Sequence, residues 1–189
     1  MKGMIFTEFL EMVESGYGPE TVERIIDASS LSTRGAYTSV GTYDYREMLD
    51  LVIALSAATG KPAPALVKEF GKYLFARLAR EFPMFFEGVA SAFAFLFTVD
   101  RHIHAEARKL YPQAELPRFE CRALAPAQME MIYTSSRPFA DLAEGMIEGC
   151  GAHFRQPMTI ERQMLCEGKV NSIRFLLTHL AAGEGDEQG

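Results

Sequence analysis

The spacing of the apolar residues changes at Pro117, which restricts the chain to folds that join helices to a small sheet. Before it, Ile5, Phe9, Leu10 and Val13 recur at helical spacing until Gly16-Tyr17-Gly18 stops the segment. Pro19 stands where a first-turn proline is tolerated, leading Val22, Ile25 and Ile26. After a polar loop from Ser30 to Gly41, Asp44 can cap a helix carrying Met48, Leu51, Val52 and Leu55, ended near Gly60. Leu66, Phe70, Tyr73, Leu74, Arg77 and Leu78 are spaced for one buried face of a further helix. Phe85, Phe86, Phe93, Phe95 and Phe97 then crowd the approach to a helix from about Asp100 to Leu110, stopped before Pro112. Beyond Pro117 the period is two. Phe119, Cys121 and Ala123 alternate with polar neighbours, as do Met129, Met131 and Tyr133 across a turn at Ala125-Pro126, the pattern of a hairpin. Pro138 to Phe154 returns to helical spacing, and two last strands follow, Met158 to Leu165 and Val170 to Leu177, joined at Glu167-Gly168. The expected fold class is α+β: a helical N-terminal half, then a C-terminal half with a small antiparallel sheet of about four strands and packed helices.

The length of 189 residues suits one domain, taken as 1–181, with a helical subdomain over about 1–65, a mixed one over about 66–181, and a disordered tail at 182–189. Hydrophobic residues make up 48%, enough for a core and an internal pocket. A net charge of −6 disfavours nucleic acid and anionic membrane as partners, since both select concentrated Lys and Arg. The most apolar stretch, Gly88 to Val99, is too short to span a bilayer. The start meets Glu8 and Glu11 at once, unlike a signal peptide, so a cytoplasmic protein is expected. Cys121, Cys150 and Cys166 are odd in number, far apart and without CxxC spacing, which argues against a disulfide framework or a zinc ribbon.

Chemistry concentrates in Tyr-Thr-Ser-Ser-Arg at 133–137. Alternate residues of an extended strand point to one side, about 6.5 to 7 Å apart, so Tyr133, Ser135 and Arg137 would aim two hydroxyls and a guanidinium at one target. Donors in excess without a carboxylate suit an anion, and Arg favours planar carboxylate or phosphate. An ordinary exposed strand with a surface Arg is the plainer alternative. Of the four histidines, His153 and His179 sit near a helix end and a chain end, while His102 and His104 lie two apart on a helix and face different sides. A metal-binding histidine combined with a carboxylate clamp suggests haem, iron at the centre and two propionates at the edge. No GxSxG, Walker loop, HExxH or paired-carboxylate pattern is present, so an enzyme is not expected.

At these residues the chain resembles the H-NOX family, haem-nitric oxide/oxygen binding domains also found in the β subunit of soluble guanylate cyclase, in its stand-alone bacterial form. The likeness runs from Met1-Lys2-Gly3 through Tyr17-Gly18, Phe70-Gly71-Lys72-Tyr73, Leu110-Tyr111-Pro112 and Leu116-Pro117-Arg118-Phe119 to Tyr133-x-Ser135-x-Arg137. The resemblance implies haem b with ferrous iron between the two halves of the fold. It places the axial ligand eight residues before Pro112, at His104, and the propionates on Tyr133, Ser135 and Arg137. Pro117 falls where the family has a proline that presses on the haem, and Ile5 matches a distal contact.

Two departures from the family carry information. Oxygen-binding members have a tyrosine five residues after the motif's Arg; here that position is Leu142, with Phe9 and Leu74 at the supporting positions. An apolar pocket gives bound O₂ no donor, whereas NO and CO need little such help. This predicts a sensor of NO and CO that excludes O₂, with Tyr73 turned away from Leu74 by helix phase. Some relatives also carry zinc on cysteines after the Arg motif plus a His and a Cys near the last strands. Here Ala140, Leu142, Arg162 and Ser172 stand there, so no zinc is expected. The resemblance implies output in trans, to a histidine kinase or a cyclic-di-GMP enzyme. Rival readings are a haem enzyme acting on a small oxidant or NO, and a haem-free interaction module.

Overall fold

The computed structural model describes residues 1–112 and 114–180; the tail expected to be disordered, 182–189, lies outside the described residues. Helices α1 (Gly3–Tyr17), α2 (Pro19–Asp27), α3 (Tyr45–Thr59) and α4 (Ala63–Glu81) come first. Gly18, at φ +85°, turns the chain between α1 and α2, and its N–H bonds the Glu14 carbonyl at 2.9 Å. Asp44 caps α3, its carboxylate accepting from the Arg46 N–H at 3.0 Å. After α5 (Ala92–Thr98) and α6 (His104–Leu110) come β1 (Arg118–Ala125), β2 (Gln128–Ser135), α7 (Ala140–His153), β3 (Met158–Cys166) and β4 (Asn171–His179). The strands form one antiparallel sheet in the order β1-β2-β4-β3. The fold is therefore the expected one, helices first and a four-stranded antiparallel sheet after them.

The helix expected from Asp100 to Leu110 is not uniform. Val99–Ile103 form a π turn, closed by the His104 N–H bonding back five residues to the Val99 carbonyl, and the α-helix proper begins at His104. No proline or glycine in this stretch dictates the widening, so spacing alone does not reveal it. Such turns recur at functional positions.

Two cores result. One joins α1, α2, α3 and part of α4 around Phe6, Phe9, Ile25, Leu51 and Leu55. The other packs α5 and α7 on the sheet face that carries Met129, Met131, Tyr133, Ile173, Phe175 and Leu177. α4 and α7 contribute to both. They cross at backbone contact: a Cβ on Gly145 would stand 2.1 Å from the Lys68 carbonyl oxygen, and one on Gly71 would stand 2.4 Å from that of Leu142. Beside the crossing, Lys68 pairs with Glu144 and Glu148, and Lys72 with Glu148. Arg162 of β3 pairs with Asp141 and reaches Glu144 at 3.6 Å. In the first turn of α3, buried Glu47 accepts from the hydroxyls of Ser32, Thr33 and Tyr37 in the preceding loop at 2.5, 2.6 and 2.7 Å.

Candidate functional site

Between the two cores lies a cavity of about 980 Å³, large enough for a cofactor. α1 brings Ile5 to its wall, α4 Leu74 and Phe75, α7 Leu142 and Met146, and the sheet Met131 and Tyr133. His104, Pro117, Ser135 and Arg137 line it as well. Eight of the nine residues singled out from the sequence therefore meet in one space. The exception is Phe9. It is fully buried in the helical core, edge-on to Phe70 at 5.2 Å between ring centroids, and does not line the cavity.

His104 opens α6, directly after the π turn. Its Nδ1 is buried without a hydrogen-bond partner; the nearest carboxylate oxygen, Asp100 Oδ1, stands 3.7 Å away, beyond good hydrogen-bond reach. Burial pushes the imidazole below its ordinary pKa, opposed by the Asp100 carboxylate. The ring is thus neutral near pH 7, with a lone pair available to a metal. His102 is exposed, consistent with its opposite helix phase.

The row at the other end is not a single strand. Tyr133 and Ser135 belong to β2, whereas Arg137 follows the strand in a bend, its N–H donating to Ser135 Oγ at 3.0 Å. The hydroxyl sets the backbone that aims the guanidinium, which a simple alternation does not convey. Arg137 Nη2 donates to Glu115 at 2.6 Å, the guanidinium lies 5.5 Å from the Tyr45 ring centroid, and Nε is buried without a partner. Tyr133 is 2% exposed; burial pushes its phenol up, opposed by the Ser135 hydroxyl. Among the described residues, His104 Nδ1 and Arg137 Nε are the two buried side-chain polar atoms without a partner, and both residues line this cavity. A group with a metal at its centre and carboxylates at one edge answers both demands, so the residues present fit haem.

The wall made by α1, α4 and α7 is apolar at Ile5, Leu74 and Leu142. Tyr73 does not line it and instead sits near Glu8 and Arg77, where burial raises its pKa. Sequence reasoning missed Phe75, Met131 and Glu115 as wall residues. Met131 was within reach, since it shares the inward face of β2 with Tyr133; Glu115, in an irregular segment, has no periodic signal. Of the four positions weighed for zinc in the sequence, Arg162 is engaged with Asp141, and Ser172 pairs in register with Cys166. Among the described residues, no three His, Cys, Asp or Glu side chains converge as a metal site. Nor is any helix among them long and apolar enough to cross a membrane.

Comparison with known proteins accords with this geometry. The family model described as Haem-NO-binding (HNOB) matches residues 2–162. An H-NOX protein from K. algicida, solved as Fe(II) unliganded, is 34% identical over 95% of this chain and 97% of its own, with a TM-score of 0.88. The H-NOX from Shewanella woodyi, solved in solution in the Fe(II)CO ligation state, is 38% identical over 100% of this chain and 99% of its own, with a TM-score of 0.82. An H-NOX from T. Tengcongensis, 22% identical over 95% of this chain and 97% of its own, shares the fold at a TM-score of 0.85. A search among curated proteins finds no match. With the family signature covering most of its length, and with two relatives above 30% identity aligned nearly end to end, the chain belongs to the haem-NO-binding (H-NOX) family.

Proposed function

We propose that the protein is a non-enzymatic cytoplasmic gas sensor that binds NO and CO at ferrous haem b, excludes O₂, and regulates a separate signalling enzyme, a histidine kinase or a cyclic-di-GMP enzyme. The fold and the family support a haem-based sensor; the selectivity rests on one observation, the apolar wall of Ile5, Leu74 and Leu142. Bound haem would supply an iron with a coordination position for a diatomic gas. His104 would hold the iron in this reading, its imidazole kept neutral by burial. Tyr133, Ser135 and Arg137 would hold the propionates, and Pro117, which lines the same cavity, would lie against the cofactor. Retention of O₂ needs a hydrogen-bond donor, and Ile5, Leu74 and Leu142 present only methyl and methylene groups. The same wall offers no acid–base group, which disfavours turnover of a small oxidant.

Purified ferrous protein should show a Soret band that shifts with NO and with CO but not with air. Leu142→Tyr places a phenol on the wall and should confer measurable O₂ binding, while His104→Ala should abolish haem retention unless imidazole is added. A parent protein that forms a stable O₂ complex overturns the selectivity. Five-coordinate haem retained by His104→Ala without imidazole moves the ligand to another residue.

A further inference from the structure

We propose that Glu115 is a positioning residue of the carboxylate clamp, holding the Arg137 guanidinium in place at the cavity wall. The proposal rests on the reading of Tyr133, Ser135 and Arg137 as the groups that bind the haem propionates. Arg137 lies beyond the end of β2, where the sheet no longer fixes it. Ser135 secures its backbone N–H and not its side chain. Among the described residues, Glu115 is the sole hydrogen-bond partner of the guanidinium, at 2.6 Å from Nη2; Tyr45 restrains only its face. Arg137 is 15% exposed and Glu115 73%, so the carboxylate reaches in from the solvent side to an otherwise enclosed cation. A guanidinium carries five donors, so it can serve Glu115 and a second carboxylate together.

The position of Glu115 in the chain gives the pair a second effect. It lies between Tyr111, the C-cap of α6, and Pro117, and both Glu115 and Pro117 line the cavity. The ion pair therefore ties the end of β2 to the segment that follows the His104 helix, linking the two regions that would grip opposite parts of one cofactor.

The test is haem transfer from the loaded protein to excess apomyoglobin, followed in the Soret band for the parent, Glu115→Ala and Glu115→Gln. Glu115 is largely exposed, so both variants are expected to fold. Glu115→Ala should lose haem about fivefold faster, the upper end for one partly exposed ion pair, with Glu115→Gln in between. An unchanged or slower loss overturns the proposal, since Glu115 would then be idle or would merely repel the propionates. Two controls separate positioning of Arg137 from general support of the loop. With haem dimethyl ester, which has no free carboxylates, parent and Glu115→Ala should lose cofactor equally fast. In an Arg137→Ala background, Glu115→Ala should have no further effect. A fivefold difference that persists in either control refutes the role. Failure of the parent itself to retain haem would instead refute the clamp, a result distinguishable from all of these.

Discussion

The crossing of α4 and α7 makes a quantitative prediction from a single missing methyl group. Gly145→Ala would put a Cβ 2.1 Å from the Lys68 carbonyl oxygen, 2.9 Å from its carbon and 3.0 Å from the Lys68 Cα. Carbon–oxygen contact needs about 3.3 Å, so the helices must part by roughly an ångström at their closest point. Backbone, unlike a side-chain tip, cannot swing aside. Overpacking of this kind costs about 3 kcal/mol, and the better helix propensity of Ala returns about 1, leaving a net loss near 2 kcal/mol. Gly16 is the matched control: it lies in α1, and a Cβ there would have nothing within 4 Å. Gly16→Ala should gain up to about 1 kcal/mol. For a chain of this size the paired expectation is a Tm lower by about 4–8 °C for Gly145→Ala and higher by about 2–4 °C for Gly16→Ala. Thermal unfolding followed by far-UV circular dichroism reads both, and urea midpoints check the sign. A Gly145→Ala protein as stable as the parent would refute backbone contact at the crossing.

Two further outcomes follow from buried groups. Burial pushes the Glu47 carboxyl up, but the hydroxyls of Ser32, Thr33 and Tyr37 outweigh it and hold its pKa below the ordinary value. The unfolded chain therefore takes up this proton first, so the stability Glu47 contributes is present above an unfolded value of about 4.3 and lost as pH falls through the lower folded one. Glu47→Ala should cost about 3 kcal/mol at pH 7, with the gap to the parent narrowing towards pH 3 in urea titrations; parallel pH profiles would contradict this. Among the thiols, burial pushes Cys121 up to about 11 and Cys150 higher still, while Cys166 is exposed. A thiol reagent at pH 8 should label one cysteine quickly and the other two only on unfolding; two fast groups would be inconsistent with the packing.

Much of this arrangement is legible in the sequence because it repeats. Period-two alternation places Phe119, Met131 and Tyr133 on one sheet face, and the structure sets Phe119 opposite Tyr133 in register. The residues that escaped detection lack such a repeat. Phe9 follows Ile5 by one helical turn, so spacing puts both on one face, yet Phe70 covers Phe9 and leaves Ile5 at the cavity. Which of two such residues is covered depends on a helix more than fifty positions away. The π turn before His104 depends on one extra residue per turn, with no residue type to announce it. The same holds for Glu115, whose partner Arg137 is distant in sequence and reached through an irregular segment.

The glycine crossing and the π turn give the cavity two differently built walls. Leu142 rides on a helix pressed backbone to backbone against α4 and braced by Lys68, Glu144 and Arg162, so that wall resists displacement. His104 begins the first regular turn after a widened one, where the hydrogen-bond ladder has already been re-registered by one residue. The two walls thus differ in construction: one is fixed by helix-to-helix backbone contact and ion pairs, the other by a helix that starts from a widened turn.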